Sequence, residues 1–279
     1  RRLKLTTPPV GGSDQLESTG LSLSLDYTYR KSDEIYQGSN EIANPNQVAT
    51  IFERINFSAA YRISDQVILR ASLPYTHATR EELGLADKTI EGLADITLSA
   101  LWYPWIGETS ALRSLGFSTG LILPTGNSSN TPNVGVAIPS VFQLGTGSYQ
   151  GTLGVRYSRL IDDWSLATSA DIIAPLDDSS AGFRPATTYF WSGSAAHPLS
   201  ESFTGKMTLS LSHGTRDEFQ GVAYANTGST TFAISPSLIW DIGESYSASA
   251  SVSIPLHRDV NATAIAAGPF FRIGVSRSF

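Results

Sequence analysis

The chain has 279 residues, enough for one large domain or two ordinary ones, and no apolar run long enough for a transmembrane helix. Its formal charge of -6, with no basic cluster to override it, excludes a nucleic-acid binder. Cysteine is absent, which removes thiol catalysis and thiolate metal sites and suits an oxidising compartment that needs no disulfide.

Residues 1–19 contain Pro8, Pro9, Gly11 and Gly12 and show no sustained periodicity, so they read as an irregular leader ahead of one domain over 20–279. No long apolar core follows the charges of Arg1 and Arg2, so an exported protein would be present here in processed form. From Leu21 onward strict alternation sets in. Leu21, Leu23, Leu25, Tyr27 and Tyr29 interleave with Ser22, Ser24, Asp26, Thr28 and Arg30. Ile55, Phe57, Ala59 and Tyr61 interleave with Arg54, Asn56, Ser58 and Arg62; Val67, Leu69, Ala71 and Leu73 oppose Arg70 and Ser72. The same pattern returns in Ile96–Trp102, Leu115–Leu123, Tyr149–Tyr157, Trp164–Ala174, Thr188–Ala196, Phe203–His213, Phe232–Ile242, Tyr246–Leu256 and Phe270–Phe279. Period-2 alternation puts one greasy and one polar face on each segment, and about twelve such strands are predicted. Thr188–Ala196 is ambiguous in facing, because Tyr189, Phe190 and Trp191 are consecutive.

The connections near 64–65, 104–111, 160–163, 197–202 and 241–245 are short, while those near 31–48, 77–91, 124–147, 175–186, 214–229 and 257–265 are long. Short and long alternate, as in an up-and-down barrel with tight turns on one rim and loops on the other. Aromatic residues collect on the apolar parity beside the short turns: Tyr61, Trp102, Tyr157, Trp164, Phe203, Trp240, Tyr246 and Phe279. Such rings favour a membrane–water interface, and Tyr27, Tyr29, Tyr75 and Tyr149 would form the opposite belt. The expected fold is an all-β, transmembrane, antiparallel up-and-down barrel, monomeric, in the outer membrane of a Gram-negative bacterium among its lipid and lipopolysaccharide.

Three segments carry a family resemblance: Ser72-Leu73-Pro74-Tyr75, Leu123-Pro124-Thr125-Gly126, and Leu144-Gly145-Thr146-Gly147-Ser148 leading into Gly154-Val155-Arg156-Tyr157-Ser158-Arg159. They resemble the outer-membrane transporter family named after the meta-pathway of phenol degradation. The family's Gly-x-Gly-Asp before the fourth strand is kept only in part, as Gly92-Leu93-Ala94-Asp95. The resemblance implies a barrel that carries hydrophobic or aromatic compounds. The ending on Phe279 likewise resembles the terminal strand of outer-membrane barrels, which implies the barrel-assembly machinery as a partner.

The polar parity would line the lumen. It is rich in Ser and Thr and carries Asp26, Arg30, Arg54, Arg62, Arg70, Asp95, Arg156, Asp171, Lys206, Asp241 and Arg272. Arg54, Arg70, Arg156, Lys206 and Arg272 are expected at a constriction, paired in part with Asp26, Asp95 and Asp171, and the 124–147 loop is expected to fold inward. The functional expectation is facilitated diffusion of small organic solutes, favouring anions by the basic interior or aromatic compounds by the family resemblance. The alternative is a salt-bridged interior that plugs a structural or adhesive barrel. An outer-membrane lipid hydrolase is the enzyme alternative; it would use His77 with Thr79 or His213 with Thr215, but neither pair offers the Ser that phospholipase-like barrels need. The acidic stretches Asp33–Glu41, Glu81–Asp87 and Arg216–Glu218 lack the spacing of a metal loop, and no cofactor is implied.

Overall fold

The computed structural model describes residues 20–106, 113–128 and 143–279. The leader over 1–19, the 107–112 connection and the middle of the 124–147 loop, with its expected inward fold, lie outside the described residues. Among the described residues twelve long strands are present. They are β1 (Leu21–Ser32), β2 (Ala49–Ser64), β3 (Val67–Glu81), β4 (Ile96–Ile106), β5 (Arg113–Leu123), β6 (Gln150–Ile161), β7 (Trp164–Pro175), β8 (Thr188–Pro198), β9 (Phe203–Gly214), β10 (Ser229–Ile242), β11 (Tyr246–Ile265) and β12 (Phe270–Ser278).

Each strand pairs antiparallel with the next, and β1 pairs with β12, so the sheet closes on itself. Closure leaves no strand edge, which is what hydrocarbon demands of a β-structure, since nothing there can satisfy an open N–H or C=O. The wall is inside-out relative to a soluble sandwich. Leu25, Phe57, Leu153 and Val275 are 48%, 44%, 61% and 56% exposed, while Ser22, Ser158, Ser169, Asp26 and Arg156 are buried. Apolar parity outward and polar parity inward is the lipid-facing arrangement. One apolar patch stands within: Ile68, Leu101 and Tyr103 cluster with Ala60 on the inner face near the short-turn end.

Among the described residues the short connections behave as the alternation predicts. Asp162 and Asp163 link β6 to β7 with φ 51° at Asp162, a left-handed position that Asp tolerates and a tight hairpin requires. The long connections differ from expectation. Residues 257–265 are strand, not loop: β11 runs on to Ile265 and pairs with the short strand Ile35–Gly38, which folds back on Asn40–Ile42. Likewise β3 continues to Glu81 and pairs with Lys88–Leu93. Apolar alternation ends where the strand leaves the hydrocarbon, but backbone pairing does not, so His257, Arg258, Asp259 and Asn261 sit on a ribbon with no apolar parity to reveal it. A small sheet of Phe183–Arg184, Glu218–Phe219 and Val222–Ala223 ties two further loops together.

The ambiguous facing of β8 is settled by its neighbours. Tyr189 and Trp191 point outward, 49% and 41% exposed, and Phe190 sits on the inward row opposite Asp171 and Ser212.

Candidate functional site

Five of the inward arginines, Arg30, Arg54, Arg70, Arg156 and Arg272, fall at two stations rather than one constriction. The upper station lies toward the loop rim on β12, β1, β2 and β3. Register places Arg272, Thr28, Arg54 and Thr76 in one row, and Phe270, Arg30, Phe52 and Ala78 in the next inward row above it. Arg54 Nε donates to Thr76 Oγ1 at 3.2 Å and Arg272 Nε donates to Thr28 Oγ1 at 3.3 Å. The guanidiniums of Arg30 and Arg54 lie 5.1 and 4.8 Å from the ring centre of Phe52, and that of Arg272 lies 5.8 Å from Phe270. These are cation–π distances, and they hold flat, charged groups against flat rings. Arg54 lies in the field of both Arg30 and Arg272, and Asp26, one inward row below, is the acid that acts on Arg272.

The lower station lies on β3, β6 and β7. Arg70 sits level with Ala60 and Ser22, while the upper row is level with Thr28, six residues further along β1, which is roughly 20 Å of strand. Arg70, Arg156 and Asp171 border one lumenal cavity of about 190 Å³ with Ser22, Ser72 and Ser118. Arg156 Nη2 approaches Asp171 Oδ1 at 3.8 Å, both side chains being largely buried. Each inward Asp of the two stations stands opposite a glycine, Asp171 facing Gly154 and Asp26 facing Gly274. A Cβ on either glycine would run into the carboxylate, so the missing side chain makes the room that the acid occupies.

The other expected site residues are placed differently. Asp95 does not join the lumenal set: its carboxylate accepts from Gly126 N at 2.9 Å, Thr146 N at 2.9 Å and Thr146 Oγ1 at 3.2 Å. It clamps the two ends of the 124–147 loop to β4, which is why an acid follows Gly92-Leu93-Ala94. Lys206 faces inward between Ala196 and Ser237, apart from both stations in register, with no ion pair among the described residues. Arg62 caps the rim, donating to the Asp65 carbonyl. The aromatics beside the short turns are outward: Tyr61, Trp102, Trp164, Trp240, Tyr246 and Phe279 are all exposed, with Tyr157 and Phe203 close behind, and Phe203 stacks on Trp240 at 5.9 Å. Arg277 lies 4.3 Å from the Phe279 ring, its charge held among rim aromatics. In the opposite belt, Tyr29, Tyr75 and Tyr149 are exposed and the Tyr27 hydroxyl donates to Glu53.

Sequence reasoning missed Phe52 and Phe270, the rings of the upper station. Extending the inward parity two residues beyond Arg54 and Arg272 would have found both; the neighbouring Ile51 and Phe271 masked it. The histidine pairs separate cleanly. His77 Nε2 lies 3.5 Å from Thr79 Oγ1 and its Nδ1 lies 3.2 Å from Glu91. His213 Nδ1 bonds Thr230 at 2.9 Å instead of Thr215, which serves the Thr187 backbone. Among the described residues no group of His, Asp and Glu is placed to hold a metal ion.

A closed twelve-stranded wall, greasy outside and wet within, ringed by aromatics at its rims, is a bacterial outer-membrane β-barrel. The chain belongs to the family described as "Putative MetA-pathway of phenol degradation", whose model matches residues 36–273. It is similar in structure to an outer-membrane channel from Pseudomonas putida F1, with a TM-score of 0.73, 16% identity, and 97% of this chain and 100% of that chain covered. It also resembles the β domain of the Bordetella autotransporter BrkA (TM-score 0.52, 12% identity, 94% and 100% covered) and the NanC porin (0.51, 12%, 92% and 100%). At these identities the likeness speaks for the fold. No curated protein matches the sequence.

Proposed function

We propose that this barrel is a non-enzymatic outer-membrane channel for facilitated diffusion of small organic solutes, with anions favoured along its axis. The observation that supports the reading is the inward chemistry: a Ser- and Thr-wetted lumen with arginines at two heights along its wall. The likeness to the Pseudomonas channel supports the same reading. In planar bilayers the protein is expected to conduct with a reversal potential shifted toward the anion, and Arg70→Ala with Arg156→Ala to move that potential toward neutrality. Unchanged selectivity in the double variant would remove the lower station from the filter.

Neutral aromatic solutes are the second reading, and one feature favours them beside the family's name. A lipid-facing depression of about 850 Å³ is bordered by Trp102, Phe117, Leu153, Ile172 and Trp191, and Ser118 and Asp171 border both it and the lumenal cavity. The wall there is nonetheless intact, since the ladders through Gly154 run without a register shift on either side. A lateral path needs those strands to part, so the axial route is the stronger reading. A hydrolase needs a hydroxyl that its base can activate; His77 makes only a weak contact of 3.5 Å with Thr79, and His213 meets Thr230, a threonine in place of the Ser that phospholipase-like barrels need, at 2.9 Å. Lipid-ester turnover by the purified protein is expected to equal that of His77→Ala and His213→Ala; a fall in either variant would reinstate an enzyme.

A further inference from the structure

We propose that the upper station is a binding site for one planar aromatic carboxylate, held between Arg30, Arg54 and Arg272 with Phe52 and Phe270 as its flat walls. The inference rests on the channel reading and names the solute class for it. Three features of the site converge. The first is charge. Three guanidiniums share two adjacent rows, and Asp26, one inward row below, acts on Arg272 alone of the three, so the site is short of anion among the described residues. Confined like charges repel, and an arriving carboxylate relieves that repulsion. The second is donor geometry. Threonine hydroxyls take only the Nε of Arg54 and of Arg272, which fixes each fork and, among the described residues, leaves the Nη donors for a ligand. Arginine forks match a carboxylate's two oxygens.

The third feature sets the ligand's shape. Phe52 and Phe270 set flat apolar faces beside the three guanidiniums, and both rings already hold guanidinium groups at 4.8 to 5.8 Å. Rings and guanidiniums side by side favour a planar aromatic body and give a compact acid nothing to stack on. The station lies toward the loop rim, so a solute entering from the loop side meets it before the Arg70–Arg156 cavity roughly 20 Å further in.

The test is calorimetric titration of the whole protein in zwitterionic detergent with three probes: benzoate, acetate and benzamide. Benzoate carries charge and ring, acetate only charge, benzamide only ring. Benzoate is expected to bind at least about 10-fold more tightly than either of the others, an energy difference of about 1.4 kcal/mol. Arg54→Gln with Arg272→Gln is expected to erase benzoate binding, and Phe52→Leu to bring benzoate down toward acetate. Acetate binding as well as benzoate would overturn the aromatic slot, and benzoate binding that survives the double arginine change would overturn the site. The wild-type panel decides the ligand class even if a variant fails to fold. Bilayer conductance of the same preparation separates the two readings. Conduction without benzoate preference sinks the site and leaves the channel; benzoate binding lost in the arginine variant, without conduction, keeps the site and sinks the channel.

Discussion

Leu25→Arg is expected to destabilise the folded barrel by roughly 2–4 kcal/mol, the cost of a cation at the lipid face near the bilayer midplane. Leu25 stands between Phe57 and Val275 in register, about midway along β1, and is 48% exposed with apolar neighbours on both sides. Its guanidinium would have to snorkel past them to reach water, or drag water inward. The neighbouring Ser24 faces the lumenal cavity, so Ser24→Asn is expected to cost well under that, about 1 kcal/mol or less. Reversible denaturant unfolding from lipid vesicles measures both. Equal costs for the two changes would mean that the outer face does not lie in hydrocarbon, and the membrane assignment would fall with it.

Gly154→Ala is the second large effect expected, at roughly 3 kcal/mol or more, from overpacking joined to disruption of a buried ion pair. The added carbon would meet the Asp171 carboxylate and lie 2.5 Å from Ser118 Oγ, on the inner face where nothing can give way into lipid. Moving Asp171 draws it off Arg156, whose side chain is 6% exposed and 3.8 Å away. The effect is therefore expected to be non-additive. In an Asp171→Ser background the clash disappears, and Gly154→Ala is expected to cost at least about 1 kcal/mol less than in the native chain. Full additivity of the two changes would show that Gly154 serves something other than room for Asp171.

Much of the wall was legible in the chain because a strand's side-chain period is two and a lipid-facing barrel obeys it on every strand. The facing of Arg54, Arg70, Arg156, Lys206 and Arg272 follows from that parity alone. Where parity fails, so does legibility. Asp95 looks like a lumenal charge by its polar flanks, yet the partners it chose are the Gly126 and Thr146 amides, 31 and 51 residues away in sequence. The ribbon to Ile265 is invisible because strands outside the membrane have no greasy face to keep. Phe190 could not be oriented within its aromatic triplet until Asp171 and Ser212 were seen beside it.

What the amino-acid order decided by itself was the alternation, the aromatic rims and the alternate short and long connections, and these together require a closed membrane-spanning wall. Only the tertiary structure decided which lumenal charges meet. Parity names the face a side chain takes but carries no height, and height comes from strand register, set by pairing between segments as far apart as β1 and β12. That register divides one list of inward arginines into two stations roughly 20 Å apart and lays Phe52 and Phe270 beside the upper one.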